Sequence, residues 1–253
     1  MRCQKGSGYL IWQIYIMALK ISTISIIFLV VLIIYIIYSS RMGPLTPRFC
    51  DLYSEESKNY YADLVRRLNN FELCGESQYD VFDEYITWKD EMIAGVKGNV
   101  LVFKGSDTLQ DWAYNLTPHR GTRLYNDIGL IYDEIKDVIR EVIQRNKITV
   151  LTGWSLGAIL SCITAMDLES EIHEVILFGL PNIFTDSFIT EYNDRLGRRT
   201  IVHNNRLDIF ANAMGYGKDR TEVGNTNWVN TPLSDSYKLI TRGLGYYHMS
   251  YFE

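Results

Sequence analysis

The sequence has no surplus of positive charge and few histidines or cysteines, and each shortage closes off a class of function. Its 25 Lys and Arg against 30 Asp and Glu leave a formal charge of −5. No basic stripe is therefore present to displace counterions from a nucleic acid. The four histidines and four cysteines form no H-E-x-x-H motif and no clustered ligand spacing, which argues against a metallohydrolase. Cys3 lies near the N-terminus and Cys162 within an apolar helical stretch. Cys50 and Cys74 flank a predicted helix, and either pair in an oxidising compartment or remain two thiols. No internal repeat or low-complexity segment occurs outside one apolar run, and a hydrophobic fraction of 47% is that of a globular chain.

That run, Ile21 to Tyr38 (ISTISIIFLVVLIIYIIY), carries no charge and is near the minimum length for a helix crossing a bilayer. Arg2, Lys5 and Lys20 precede it and Arg41 and Arg48 follow, a slight bias toward a cytoplasmic N-terminus. A cleaved signal peptide is the rival reading, but its n-region would be long and Ser39-Ser40 makes a poor cleavage site after Tyr38. The expected organisation is an N-terminal flank over 1–20, a transmembrane anchor over 21–38, a linker over 39–50 and one domain over 51–253. Pro44 and Pro47 stiffen the linker. The remaining chain of roughly 200 residues is enough for a full hydrophobic core. The expected site of action is a membrane surface on the lumenal or extracellular side.

Within the domain, Ser54 to about Leu68 reads as a helix, with Glu55 and Glu56 in its first turn and Arg66 and Arg67 near its end. Residues 79–98 read as short antiparallel strands. Asn99 to Lys104, Lys147 to Thr152, Glu174 to Gly179 and Arg199 to His203 are strand runs. Between the first two, Leu124 to Asn146 places Ile128, Ile131, Ile135, Val138, Ile139, Val142 and Ile143 on one helical face. Strands alternating with helices predict an α/β fold whose mostly parallel sheet is covered on both sides.

Gly153-Trp154-Ser155-Leu156-Gly157 fits G-x-S-x-G directly after a strand and before an apolar helix. A strand that turns at once into a helix holds its serine in a strained conformation, and side chains at the flanking glycines would collide. The hydroxyl then sits at a helix N-terminus, where backbone N–H groups favour developing negative charge. Ser155 is the candidate nucleophile. An incidental serine in a Gly-rich turn is the bland alternative.

A hydroxyl needs a base, and histidine suits neutral pH. In an α/β-hydrolase the chain order is serine, acid, histidine. His119 precedes the serine, His173 sits among Glu171 and Glu174, and His203 comes before any good acid, which leaves His248. The acid must follow a strand; Asp208 does, with Asp186 and Asp194 as runners-up. The Leu156 N–H and Ser106, in Phe103-Lys104-Gly105-Ser106, are candidate oxyanion donors. Thr108 to Leu116 then presents Leu109, Trp112 and Leu116, either as a surface helix or as a lid over an acyl groove. Asn115-Leu116-Thr117 is a glycosylation sequon weakened by Pro118.

From about Asn99 to Phe252 these motifs resemble the class 3 lipase family, the fungal triacylglycerol lipase-like hydrolases. The resemblance rests on Phe103-Lys104-Gly105-Ser106, Trp112, Asn115, His119-Arg120-Gly121, Gly153 to Gly157, Phe178-Gly179-Leu180-Pro181, Asp208, and His248 followed by Tyr251-Phe252. It implies an α/β-hydrolase that cleaves acyl-lipid esters through Ser155, Asp208 and His248. Trp112 would belong to a lid and Asn115 to its hinge, with no cofactor. Partners would be acyl lipids and a membrane. A phospholipase A1 or acyltransferase on the same residues, or a catalytically inactive tethered protein, are the alternatives. Trp154 and Ala158 depart from the family's usual histidine and glycine, and Ile209-Phe210 from its valine-proline.

Overall fold

The structure, a computed structural model, describes residues 59–74, 81–106, 123–124, 128–208, 211–212, 222–229 and 251, with the side chains of 70–74 and 229 outside that description. All lie in the second of two compact units, Cys50–Glu253. The apolar run 21–38, the linker and Cys50 fall outside the described residues, as does the side chain of Cys74. Among the described residues no helix is long and apolar enough to cross a membrane.

Seven strands form one sheet in chain order: β1 (Glu84–Trp88), β2 (Glu91–Lys97), β3 (Val100–Phe103), β4 (Val150–Trp154), β5 (Glu174–Phe178), β6 (Thr200–Asn205) and β7 (Asn225–Val229). The first three run antiparallel and the rest parallel. Lys89 and Asp90 both take positive φ, 51° and 66°, as a two-residue hairpin turn matching the strand twist requires. Asp83 secures the next turn by accepting from the Gly98 N–H at 2.7 Å and Lys97 Nζ at 3.1 Å.

Parallel pairing requires crossovers, supplied by α2 (Ile128–Asn146), α3 (Leu156–Asp167) and α4 (Asp186–Leu196). Leu101, Phe103, Leu151, Val175, Leu177 and Val202 share one core with these helices. The alternate residues Val100, Val102, Val150, Trp154, Ile176 and Phe178 are buried on the other face, where α1 (Tyr60–Cys74) packs against β3 and β4. This two-sided burial explains why the central strands read as continuous apolar runs. Since β3 to β7 are parallel, the segments after Phe103, Trp154, Phe178 and Asn205 emerge at one edge of the sheet.

Several boundaries differ from expectation. The described part of α1 begins at Tyr60, where the Asn59 side chain accepts from the N–H groups of Tyr61 and Ala62 at 3.0 and 3.2 Å, an N-terminal cap. It continues past Leu68 to Cys74. Arg66 and Arg67 therefore sit in mid-helix, paired with Asp63 at 2.8 and 2.6 Å, and do not cap its end. Leu124, expected at the start of α2, instead bridges to Phe184. Val138 is 50% exposed, because the buried stripe is centred between Ile128 and Tyr132 and Val138 lies beyond its edge. Strand β7 (NTNWV) was not expected at all: the side chains of Asn225 to Trp228 alternate between exposed and half-buried, and an edge strand needs little apolar pattern.

Candidate active site

Ser155 follows β4 and precedes α3 with φ 55° and ψ −116°. That backbone conformation costs a residue bearing a Cβ about 1–3 kcal/mol and persists only where its surroundings enforce it. Enforcement comes from both sides. The Ser155 N–H donates to the Phe178 carbonyl at 3.1 Å, and its own carbonyl accepts from Ala158 and Ile159 at 3.0 and 3.2 Å. The flanking glycines have no room for side chains. A Cβ on Gly153 would come within 2.4 Å of the Gly157 carbonyl, and one on Gly157 within 2.3 Å of the Phe103 oxygen. The serine is 6% exposed, at the edge where the parallel strands end.

Leu156 opens α3, so its N–H belongs to the first-turn donors that a helix leaves without internal acceptors. Ser106 arrives from the neighbouring strand. Upstream of it, the Lys104 N–H donates to the Ile93 carbonyl at 3.0 Å, and the Gly105 N–H donates to Asn69 Oδ1 at 2.9 Å. Gly105 also lies against Trp154; a Cβ there would stand 2.4 Å from the indole ring. Sequence reading missed both Asn69 and this role of Trp154, since neither belongs to a local motif.

Asp208, three residues past β6, is fully buried. Its Oδ1 accepts from the Ala211 N–H at 3.1 Å and its Oδ2 from the Tyr251 hydroxyl at 2.7 Å. Tyr251 in turn accepts from the Asn205 N–H at 2.9 Å. Burial first, and then the adjacent carboxylate, push the Tyr251 phenol well above the usual tyrosine range, so it remains a protonated donor. The runners-up differ in setting: Asp186 and Asp194 are exposed on α4.

One strand, β5, separates the serine's strand from the acid's, a lateral distance of about 10 Å. An imidazole is the size of group that bridges such a gap. Tyr251 and Trp154 both lie against Gly179 at the end of that strand, where a Cβ would stand 2.9 Å from the Tyr251 ring and 3.2 Å from Trp154 Nε1. His248 lies outside the described residues, as do Leu109, Trp112, Asn115 and His119. Two other histidines are placed. His173 is exposed just before β5, and its backbone N–H donates to the carbonyl of Thr149 just before β4, at the opposite end of the sheet from Ser155. His203 stacks on Phe178 with ring centroids 5.1 Å apart, and burial depresses its pKa. Among the described residues no group of three His, Cys, Asp or Glu is placed to hold a metal ion.

Residues 100–215 match the model of the family described as Lipase (class 3). A secreted mono- and diacylglycerol lipase of Malassezia restricta is 24% identical over 132 residues, covering 47% of this chain and 43% of that protein. The chain thus spans under half the length of the curated relative it matches. Among solved structures, a mono- and diacylglycerol lipase from Aspergillus oryzae superposes with a TM-score of 0.45 at 15% identity, over 60% of this chain and 64% of that one. The Lip2 lipase of Yarrowia lipolytica gives 0.40 at 14% identity, over 54% and 60%. The mostly parallel sheet with its strained serine turn is that of an α/β-hydrolase.

Proposed function

We propose that this chain is a serine ester hydrolase acting on acyl-lipid esters, with acylglycerols as the first substrate class, a reading supported by the match of residues 100–215 to the class 3 lipase model. The observation that carries the reading is the Ser155 backbone, held at φ 55° by contacts that exclude any side chain at Gly153 and Gly157. Such strain is retained where a hydroxyl must be presented.

In the proposed mechanism the Ser155 oxygen attacks the ester carbonyl while its proton passes to His248. Asp208 orients that imidazole and offsets its charge. The oxyanion of the tetrahedral intermediate accepts from Leu156 N–H and from Ser106. Collapse expels the alcohol, which takes the proton from His248, and water then releases the acyl group by the same steps. Asp208 supports this assignment by being buried and already hydrogen-bonded by Tyr251. Tyr251 is only three residues after His248, a span of chain that reaches about 10 Å at most. Leu109 and Trp112 would form a lid over the acyl groove, with Asn115 at its hinge.

The relative's name supports mono- and diacylglycerols as substrates and an extracellular setting. The test is release of fatty acid from a panel of mono-, di- and triacylglycerols and phospholipids by the full chain in detergent, with the products identified. Acylglycerol cleavage is expected to exceed phospholipid cleavage. Preferential sn-1 cleavage of phospholipid would replace the reading with a phospholipase A1, ester formation with an acyltransferase, and no turnover with an inactive tethered protein.

We further propose that residues 21–38 anchor the domain at a bilayer, on the strength of their length and lack of charge. The chain should then stay in the membrane pellet through an alkaline carbonate wash; release into the supernatant would contradict the anchor.

A further inference from the structure

We infer that Asn69, on α1, is a positioning residue for the oxyanion-binding loop: its side-chain oxygen holds the Gly105 N–H, one residue before Ser106. The inference rests on the ester-hydrolase reading above and adds a part of the chain outside residues 100–215.

Asn69 is an odd residue for its place. It lies well inside α1, where asparagine is a poor helix former, and is 6% exposed, where an amide without partners would be costly. Both halves of the amide are used. Nδ2 donates to the Val65 carbonyl one turn back at 2.7 Å, and Oδ1 accepts from Gly105 at 2.9 Å. The orientation follows from the partners, because turning the amide over would set an NH₂ against an N–H and an oxygen against a carbonyl. The bond to Val65 anchors the side chain, and the bond to Gly105 carries the constraint across 36 residues of sequence.

What is constrained matters to chemistry. The two peptides before Ser106 are both committed, Lys104 N–H to β2 and Gly105 N–H to α1. The Trp154 ring closes on Gly105, so the loop is fixed by hydrogen bonds and by contact with the residue preceding the nucleophile. An oxyanion donor stabilises a transition state to the extent that it is already aimed, and a displacement near 1 Å can cost on the order of a hundredfold in rate. Without the Asn69 oxygen, the Gly105 N–H must find another partner, and Ser106 moves with it.

The experiment is hydrolysis of p-nitrophenyl butyrate by the full chain in detergent, comparing wild type with Asn69→Ala, Asn69→Asp and Leu68→Ala. Leu68 is fully buried one position earlier on α1 and serves as a control for destabilisation alone. Asn69→Ala is expected to lower kcat tenfold or more with KM within threefold, and to weaken a tetrahedral boronic acid inhibitor by the same factor as kcat. Asn69→Asp, which keeps an acceptor for Gly105, should recover at least threefold over the alanine variant, and Leu68→Ala should hold kcat within twofold. If Asn69→Ala does not fold, Asn69→Ser replaces it, since a serine hydroxyl is too short to reach. The inference is overturned if the alanine variant keeps its kcat, or loses no more than Leu68→Ala, or if the aspartate variant recovers nothing. Wild type that neither turns over ester nor reacts with a fluorophosphonate would overturn the hydrolase reading itself, and this inference with it.

Discussion

Ser155→Ala is expected to abolish ester turnover, with kcat falling by at least about 10⁴-fold, because a triad without its nucleophile retains only what binding and the oxyanion donors supply. The same change should leave the fold intact. Alanine keeps the Cβ, and the turn is held by backbone bonds from Phe178, Ala158 and Ile159 that do not involve the hydroxyl. The melting temperature should therefore stay within a few degrees of wild type. Ser155→Gly makes the complementary case. Glycine tolerates positive φ without a Cβ penalty, so the variant should be equally inactive yet more stable, by about 1 kcal/mol in a denaturant titration. Inactive and stabilised together would mean that the strain at Ser155 serves presentation of its hydroxyl. A Ser155→Ala protein with more than a hundredth of wild-type turnover would remove Ser155 from the mechanism.

The second large effect is expected at Asp208. An amide there has nearly the carboxylate's shape but cannot offset a charged imidazole, and it favours the wrong tautomer. Asp208→Asn should lower kcat on the order of 10³- to 10⁴-fold, measured as kcat and KM with a soluble ester. Tyr251→Phe tests the same carboxylate from behind. It removes the donor to Oδ2 and the acceptor for the Asn205 N–H, so stability should fall by about 1–3 kcal/mol. Turnover should drop less than in Asp208→Asn, because the carboxylate keeps its charge and its bond from Ala211. Asp186→Asn and Asp194→Asn, altering exposed side chains on α4, should change neither. Full activity in Asp208→Asn with loss in either of those variants would reassign the acid.

The parts of this site that could be read in the sequence are those whose physics is local. A strand running straight into a helix through Gly153 and Gly157 needs both glycines for reasons within five residues, and the collisions that a Cβ would make bear that out. The apolar stripe of α2 was legible from its period, apart from Val138 at the stripe's edge. The candidate acid was harder to read. Of the three aspartates weighed, Asp186, Asp194 and Asp208, burial separates Asp208 from the other two, a property set by packing over distant chain. Strand β7 escaped because Asn225 to Trp228 bear no buried row. Asn69 and Tyr251 act across 36 and 43 residues on Gly105 and Asp208. Tyr251 entered the sequence reading only as a motif residue after His248, and Asn69 not at all, because neither neighbourhood shows a partner so far along the chain.

The central claim is that one hydroxyl, that of Ser155, performs the chemistry. Treating the full chain with a fluorophosphonate and locating the adduct by peptide mass spectrometry tests it most directly. The account predicts a single adduct on Ser155 in wild type, none in Ser155→Ala, and slow formation in Asp208→Asn. An unlabelled wild type, or an adduct on any other residue that survives in Ser155→Ala, would contradict it.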